Sequence, residues 1–422
     1  MRYLIKNAKI ISQGSALHGK RKDILIVNGI ISSIGRNLSD SKAKEITSKN
    51  LHVSVGWLDI GTHLGEPGYE QRETTKTLCA AALAGGYTDI APFPNAQPSI
   101  QTKSQITSLR QEGAIHGVDI HPIGALSVDA AGENIAEYQD MASAGAVGFS
   151  DGLKAVQKNG LLLRALQYAK GTKSVVIHHP SDHSLDNANQ VHEGESSIRM
   201  GIKGSPDIAE HLMIDRDLHL LHYSESKLCL HAISSKGSVD RVKKAKEKST
   251  ALYSTVSYLN LVATDDVMLD FDTNYKVSPV LRTKSDQSAL IRGLKNTTID
   301  CVCSNHVPYE PEAKELEFAY ADNGSTGLET AYAAINTYIS DKISIEELIP
   351  ALTSGPRRIL QIAQPQIDTD TVAKLTCWDP DIQWTYTASN KKSKSRNNPY
   401  LNQELQGKVV ATINNKTAYI DQ

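Results

Sequence analysis

The sequence predicts an α/β protein: a (β/α)8 TIM barrel over residues 55–363, flanked by a small β-module built from residues 1–54 and 364–422. Three observations predict it. The chain has 422 residues, enough for one large barrel and a smaller module. Its middle alternates short apolar runs with helical stretches, the pattern of a parallel sheet with helical crossovers. Both ends read instead as short strands joined by turns, so a single small sheet drawn from both termini is expected.

At the start, Tyr3-Leu4-Ile5 and residues 23–27 are rich in β-formers, and Asn28-Gly29 is a strong two-residue hairpin signal between 24–27 and 30–34. In the middle, strands are expected at 88–91, 118–123, 147–149, 174–178, 228–233 and 299–304. Helices are expected at 76–84, 130–142, 161–169 and 239–246. At the end, 373–378 and 407–413 read as strands, and Asn414-Asn415-Lys416 turns into a last strand at 417–420. The polar, basic run at 389–398 (SNKKSKSRNN) is expected to be a solvated loop.

Composition narrows the function. Lys and Arg number 45 against 47 Asp and Glu, a formal charge of −2, so bulk attraction to nucleic acid or to an anionic membrane is not expected. Mean hydropathy is −0.32, and no apolar run approaches the roughly 18–20 residues of a membrane span. The opening MRYLIKNAKIISQG lacks a signal-peptide shape, being interrupted by Lys6, Asn7 and Lys9. Five cysteines make no CxxC and no even framework, which points to a reduced, cytoplasmic setting.

Polar residues gather where the predicted strands end, the face on which a barrel carries its chemistry. The places are 59–68 (DIGTHLGEPG), 148–152 (GFSDG), 177–182 (IHHPSD), 229–234 (CLHAIS) and 304–309 (SNHVPY). His63, Asp151, His179 and His231 form a candidate imidazole–carboxylate set of the kind that suits zinc. Taken by themselves these residues are a weak metal signal, and each also reads as a hydrogen-bonded residue near a strand end. Cys301 and Cys303 share one face of a strand and read as small apolar filler of a barrel layer. His178 faces away from His179 and reads as packed under a helix.

Almost the whole chain resembles the dihydroorotases of the amidohydrolase superfamily. The resemblance is carried by 56–88 (GWLDIGTHLGEPGYEQRETTKTLCAAALAGGYT), FPNAQP at 93–98, 193–220, 229–239, 274–319, SGPRRIL, and SKSRNNPYLNQELQGKVVATINNK near the end. It implies a zinc-bearing barrel of the metal-dependent amidohydrolase type, acting in pyrimidine biosynthesis on N-carbamoyl-aspartate and dihydroorotate. It also implies a homo-oligomer. Members use an Asp-x-His-x-His-x-Arg motif, a bridging carboxylate, two further histidines and a strand-eight aspartate around two zinc ions.

This sequence departs from that pattern. Against the motif, His63 survives, but Gly61 stands for the first histidine and Gly65 for the arginine. Asp151 matches the bridging carboxylate, and His179 and His231 match the next two histidines. Asn305 replaces the strand-eight aspartate, and Tyr309 replaces a substrate-binding histidine. Asn95 and Asn274 remain at substrate-contact positions. The first metal thus loses two of its four ligands, while the second keeps Asp151, His179 and His231, so at most one zinc site is expected. Asn305 has no ionisable proton and cannot act as general acid or base, a role whose loss alone costs about 10²–10⁴-fold; no catalytic residue is assigned. Two functions from different classes follow. One is an inactive structural or regulatory partner of aspartate carbamoyltransferase, as in non-catalytic dihydroorotase-like chains. The other is an active one-zinc cyclic amidohydrolase.

Overall fold

The computed structural model describes residues 1–186 and 190–421. At the N-terminal hairpin, Asn28 and Gly29 take φ of 51° and 83°, the left-handed pair that a two-residue turn between twisted strands requires. The turn joins Arg21–Val27 to Ile30–Gly35. These strands belong to an eight-stranded sheet drawn from both ends of the chain. In it, Lys374–Thr385 pairs antiparallel with His52–Val55 on one side and with Glu404–Asn414 on the other. One face buries Ile5, Ile24, Val53, Leu375 and Ile413 in a single apolar cluster.

Eight parallel strands make the barrel: Trp57–His63, Tyr87–Phe93, Ile123–Ala125, Gly148–Ser150, Val175–His178, Leu228–Leu230, Leu252–Ser257 and Cys301–Cys303. The last six form one hydrogen-bonded ladder; the first two pair with each other, and Tyr87–Phe93 also pairs with Asp119–Ile120. Tyr87–Phe93 lies beside Ile123–Ala125, and Trp57–His63 lies beside Cys301–Cys303, which closes the ring. Leu58, Ile60, Ala91, Phe93, Ile177, Cys229 and Cys301 fill the interior as one apolar cluster. All five cysteines are buried free thiols. The outer helices carry local start signals: Thr74 with Thr77, Thr102 with Gln105, Thr283 with Asp286 and Ser344 with Glu347 form reciprocal capping boxes. Among the described residues, no helix is long and apolar enough to cross a membrane.

Two expectations are corrected. The helix at 130–142 shrinks to Tyr138–Ser143, because Asp129, Ala130 and Gly132 take φ of 56°, 50° and 73° and turn the chain instead. The run at 389–398 is not a solvated loop. Its Ser393, Ser395, Asn397 and Asn398 are buried. Ser393 and Lys394 donate to the Glu73 carboxylate, and the Lys392 and Ser393 amides donate to Glu329 at 2.7 and 2.9 Å. Asn397 Nδ2 donates to the Val307 carbonyl (2.9 Å) and Asn398 Nδ2 to the Thr326 carbonyl (2.8 Å). These partners follow the first and eighth barrel strands, so the segment straps the C-terminal face.

The opposite end of the barrel is joined to the sheet by charge. Asp89, near the start of Tyr87–Phe93, accepts from His121 (2.8 Å), Arg357 (2.8 Å) and Lys374 (2.9 Å). Lys374, on the sheet strand, also pairs with Asp119. Burial opposes ionisation of Asp89, but the surrounding cations and hydrogen bonds outweigh it and hold the carboxyl well below its usual range.

Candidate active site

The opening motif ends the first barrel strand, Trp57–His63. Asp59 points to the eighth strand, where Ser304 donates to it through its amide (2.6 Å) and its hydroxyl (2.9 Å). Burial raises the Asp59 carboxyl to about 7, partly offset by those bonds. His63 stands at the mouth, where burial and then the charges of His306 and Arg72 push its imidazole down to about 4. Its Nε2 has no hydrogen-bond partner among the described residues.

His179 and His231 follow the fifth and sixth strands. His179 donates from Nδ1 to the His231 carbonyl (3.3 Å), and its Nε2 lies 3.4 Å from the Ser278 hydroxyl. Burial lowers its imidazole to about 4. His231 Nδ1 is 3.1 Å from Thr255 Oγ1, and its Nε2 lacks a hydrogen-bond partner among the described residues. Burial, with His179 and His63 nearby, lowers it well below the ordinary value. All three imidazoles are therefore neutral near pH 7. The Phe93 ring packs edge-to-face against both His63 and His231, with centroids 5.9 and 4.8 Å apart.

Asp151 faces elsewhere. Its two carboxylate oxygens accept from the Ser127 amide (2.9 Å) and hydroxyl (2.5 Å). Burial raises its carboxyl, partly offset by Ser127. Asn305, at φ 45°, donates from Nδ2 to the Ser278 carbonyl (3.0 Å). Asn95 donates from Nδ2 to the Asp151 carbonyl (3.1 Å). Asn274 instead folds back on Asp272 Oδ1 at 2.9 Å. Arg72 is sandwiched 4.5 Å from each of the Tyr69 and Tyr309 rings and pairs with Glu310. As expected from its outward direction, His178 is bonded under a helix, to Asp217 at 2.6 Å.

Zinc needs three or four donors converging at about 2.0–2.3 Å. Among the described residues, no three His, Cys, Asp or Glu side chains form a group that could hold a metal ion. Within the expected set of His63, Asp151, His179 and His231, Ser127 binds the Asp151 carboxylate, and Phe93 lies against His63 and His231. The residues as arranged do not fit the metal. Sequence reasoning missed Ser127, Thr255 and Ser278, whose partners lie far away in the chain. Phe93 was visible in FPNAQP, but not its proximity to the histidines.

The fold and this placement of polar residues define the class: an amidohydrolase-type barrel with its site at the C-terminal strand ends. Solved structures agree on the fold. L-hydantoinase from Arthrobacter aurescens superimposes with a TM-score of 0.83 at 22% identity, covering 99% of this chain and 96% of that one. Dihydropyrimidinase from Brevibacillus agri NCHU1002 gives 0.80 at 19% identity, covering 100% and 95%. A family described as Dihydro-orotase-like matches residues 52–238. Curated relatives match end to end: the dihydroorotase of Syntrophus aciditrophicus (strain SB) is 33% identical over 98% of both chains. That of Thermoanaerobacter sp. (strain X514) is 35% identical over 98% of this chain and 96% of its own. The chain belongs to the dihydroorotase family.

Proposed function

We propose that this chain is a dihydroorotase-family protein without dihydroorotase activity, kept as a structural or regulatory partner of aspartate carbamoyltransferase in pyrimidine biosynthesis. The observation that carries the loss of activity is Asn305. It stands where the family has its proton-shuttling aspartate, and its amide is tied to the Ser278 carbonyl. An amide has no proton to shuttle at neutral pH. Gly65 cannot grip a substrate carboxylate in place of the arginine, a task that a guanidinium fork performs. The end-to-end similarity to proteins named dihydroorotase supports a retained family scaffold. The partner assignment rests on the resemblance to non-catalytic dihydroorotase-like chains.

The test is co-purification and sizing of the full chain with aspartate carbamoyltransferase from the same organism, alongside a dihydroorotate assay. A stable complex without turnover is expected. Two proteins that elute separately at micromolar concentration would overturn the partner role. A second reading, a one-metal cyclic amidohydrolase, is favoured only by the unpartnered Nε2 atoms of His63 and His231. Chelator-sensitive turnover of dihydroorotate or of a related cyclic amide would select it.

A further inference from the structure

The two glycines that replace the family's motif residues stand in spaces that have since been filled. At Gly61, φ is 93°, and a Cβ would lie 2.7 Å from His231 Cε1, 2.9 Å from Phe93 Cε2 and 3.1 Å from His231 Nε2. At Gly65, a Cβ would lie 2.0 Å from the Glu73 carbonyl oxygen and 2.7 Å from the Glu73 amide nitrogen. The first obstacle is aromatic and part of the barrel core; the second is backbone. Neither is the loose end of a flexible chain that could swing aside.

Glu73 is also pinned. Its carboxylate accepts from Thr77, Ser393 and the Lys394 amide, and lies 3.4 Å from His306 Nε2. The side chain is fully buried. The strap at 389–398 thus binds the carboxylate of the residue whose backbone lies against Gly65. Beyond Gly324, where a Cβ would meet the Tyr309 ring at 2.7 Å, that ring lies against Arg72.

We infer that the lost half of the family's site is sterically sealed in this chain: Phe93 and His231 occupy the place of the missing first-metal imidazole, and the Glu73 backbone occupies that of the missing arginine stem. The loss of that half is therefore locked by packing and is not a matter of absent donors alone. This deepens the inactive reading proposed above and rests on it, but the two fail separately.

The experiment uses the full-length protein and zinc chloride as probe. Zinc per chain is measured after dialysis against micromolar zinc and desalting, and thermal midpoints are measured with and without zinc. For the wild type, no more than one zinc per chain is expected. A second tightly retained zinc would overturn the inference while leaving an inactive protein in place; turnover without retained zinc would overturn the inactive reading alone.

Gly61→Ala, Phe93→Ala and their double variant form a cycle that separates packing from backbone strain, because the φ penalty is common to both backgrounds. Gly61→Ala is expected to lower the midpoint by roughly 3 °C or more. It should lower it distinctly less in the Phe93→Ala background. Equal losses in both backgrounds, or no loss at all, would overturn the sealing by Phe93. The triple variant Gly61→His, Gly65→Arg, Asn305→Asp is expected to lose stability and gain no zinc over the wild type; an added zinc at wild-type stability would overturn the inference.

Discussion

One barrel strand, Tyr87–Phe93, carries the two halves of this protein's character at its two ends. At its start, Asp89 is buried among His121, Arg357 and Lys374, each in direct hydrogen-bonding contact. At its end, Phe93 lies between imidazoles that burial keeps neutral. The same strand is thus charged and fully paired where the barrel meets the sheet, and apolar where its relatives do chemistry. Buried charge is tolerated only when paired and hydrogen-bonded. The junction meets that condition by itself; a mouth stocked with carboxylates and imidazoles for metal would need the metal to meet it. The comparison teaches that one strand buries an ion-paired carboxylate at the junction and an aromatic ring among imidazoles at the mouth.

Breaking the junction should have the largest effect. Asp89→Ala leaves Arg357 buried without its carboxylate, and removal of one partner from a buried pair costs about 3–5 kcal/mol. Urea unfolding of the variant should show that loss. A cost below about 1 kcal/mol would mean that the junction charges are solvated and the contrast between the two ends is false.

Acid titration sharpens the other half. The folded imidazoles of His63 and His179 sit at about 4, below the ordinary value of 6.5, and burial holds His231 well below that value too. Between these values the unfolded chain binds more protons than the folded one, so stability rises with pH. Stability is complete above about pH 6.5 and falls as the pH drops toward 4, by about 1–3 kcal/mol per imidazole. The urea midpoint, followed from pH 7 to 5, should fall, and less steeply in His179→Asn. A flat profile would mean that the three rings are solvated.

Smaller effects are expected at the strap and at the stacked arginine. Arg72→Ala removes a guanidinium held between two tyrosine rings and should cost about 1–2 kcal/mol. Ser393→Ala removes one donor to a buried carboxylate and should cost about 1–2 kcal/mol, with faster hydrogen exchange confined to 389–398. Exchange that accelerates across the whole barrel instead would show that the strap is integral to the core.

Much of the architecture was legible because periodicity reports burial locally. The hairpin at Asn28-Gly29 and the helix Asn159–Gly171 carry their own signals in turn chemistry and apolar spacing. The helix Lys103–Ile115 was missed because its face toward the barrel is only Ile106, Leu109 and Gly113, although Thr102 and Gln105 spelled its start. The strap was misread because its polar residues are satisfied by Glu73 and Glu329, more than sixty residues away, and composition does not reveal such partners. At the site, the resemblance identified which positions had changed. It could not show that Asp151 turns to Ser127, or that Phe93 packs on His231, since both depend on side-chain direction.

The central claim is that the fold has outlived its chemistry. Its most direct test is dihydroorotate hydrolysis by the purified full-length protein supplied with zinc, with a chelated control. No turnover above the chelated control is expected. Turnover that zinc supports and chelation abolishes would contradict the account, because among the described residues no three His, Cys, Asp or Glu side chains form a group that could hold a metal ion.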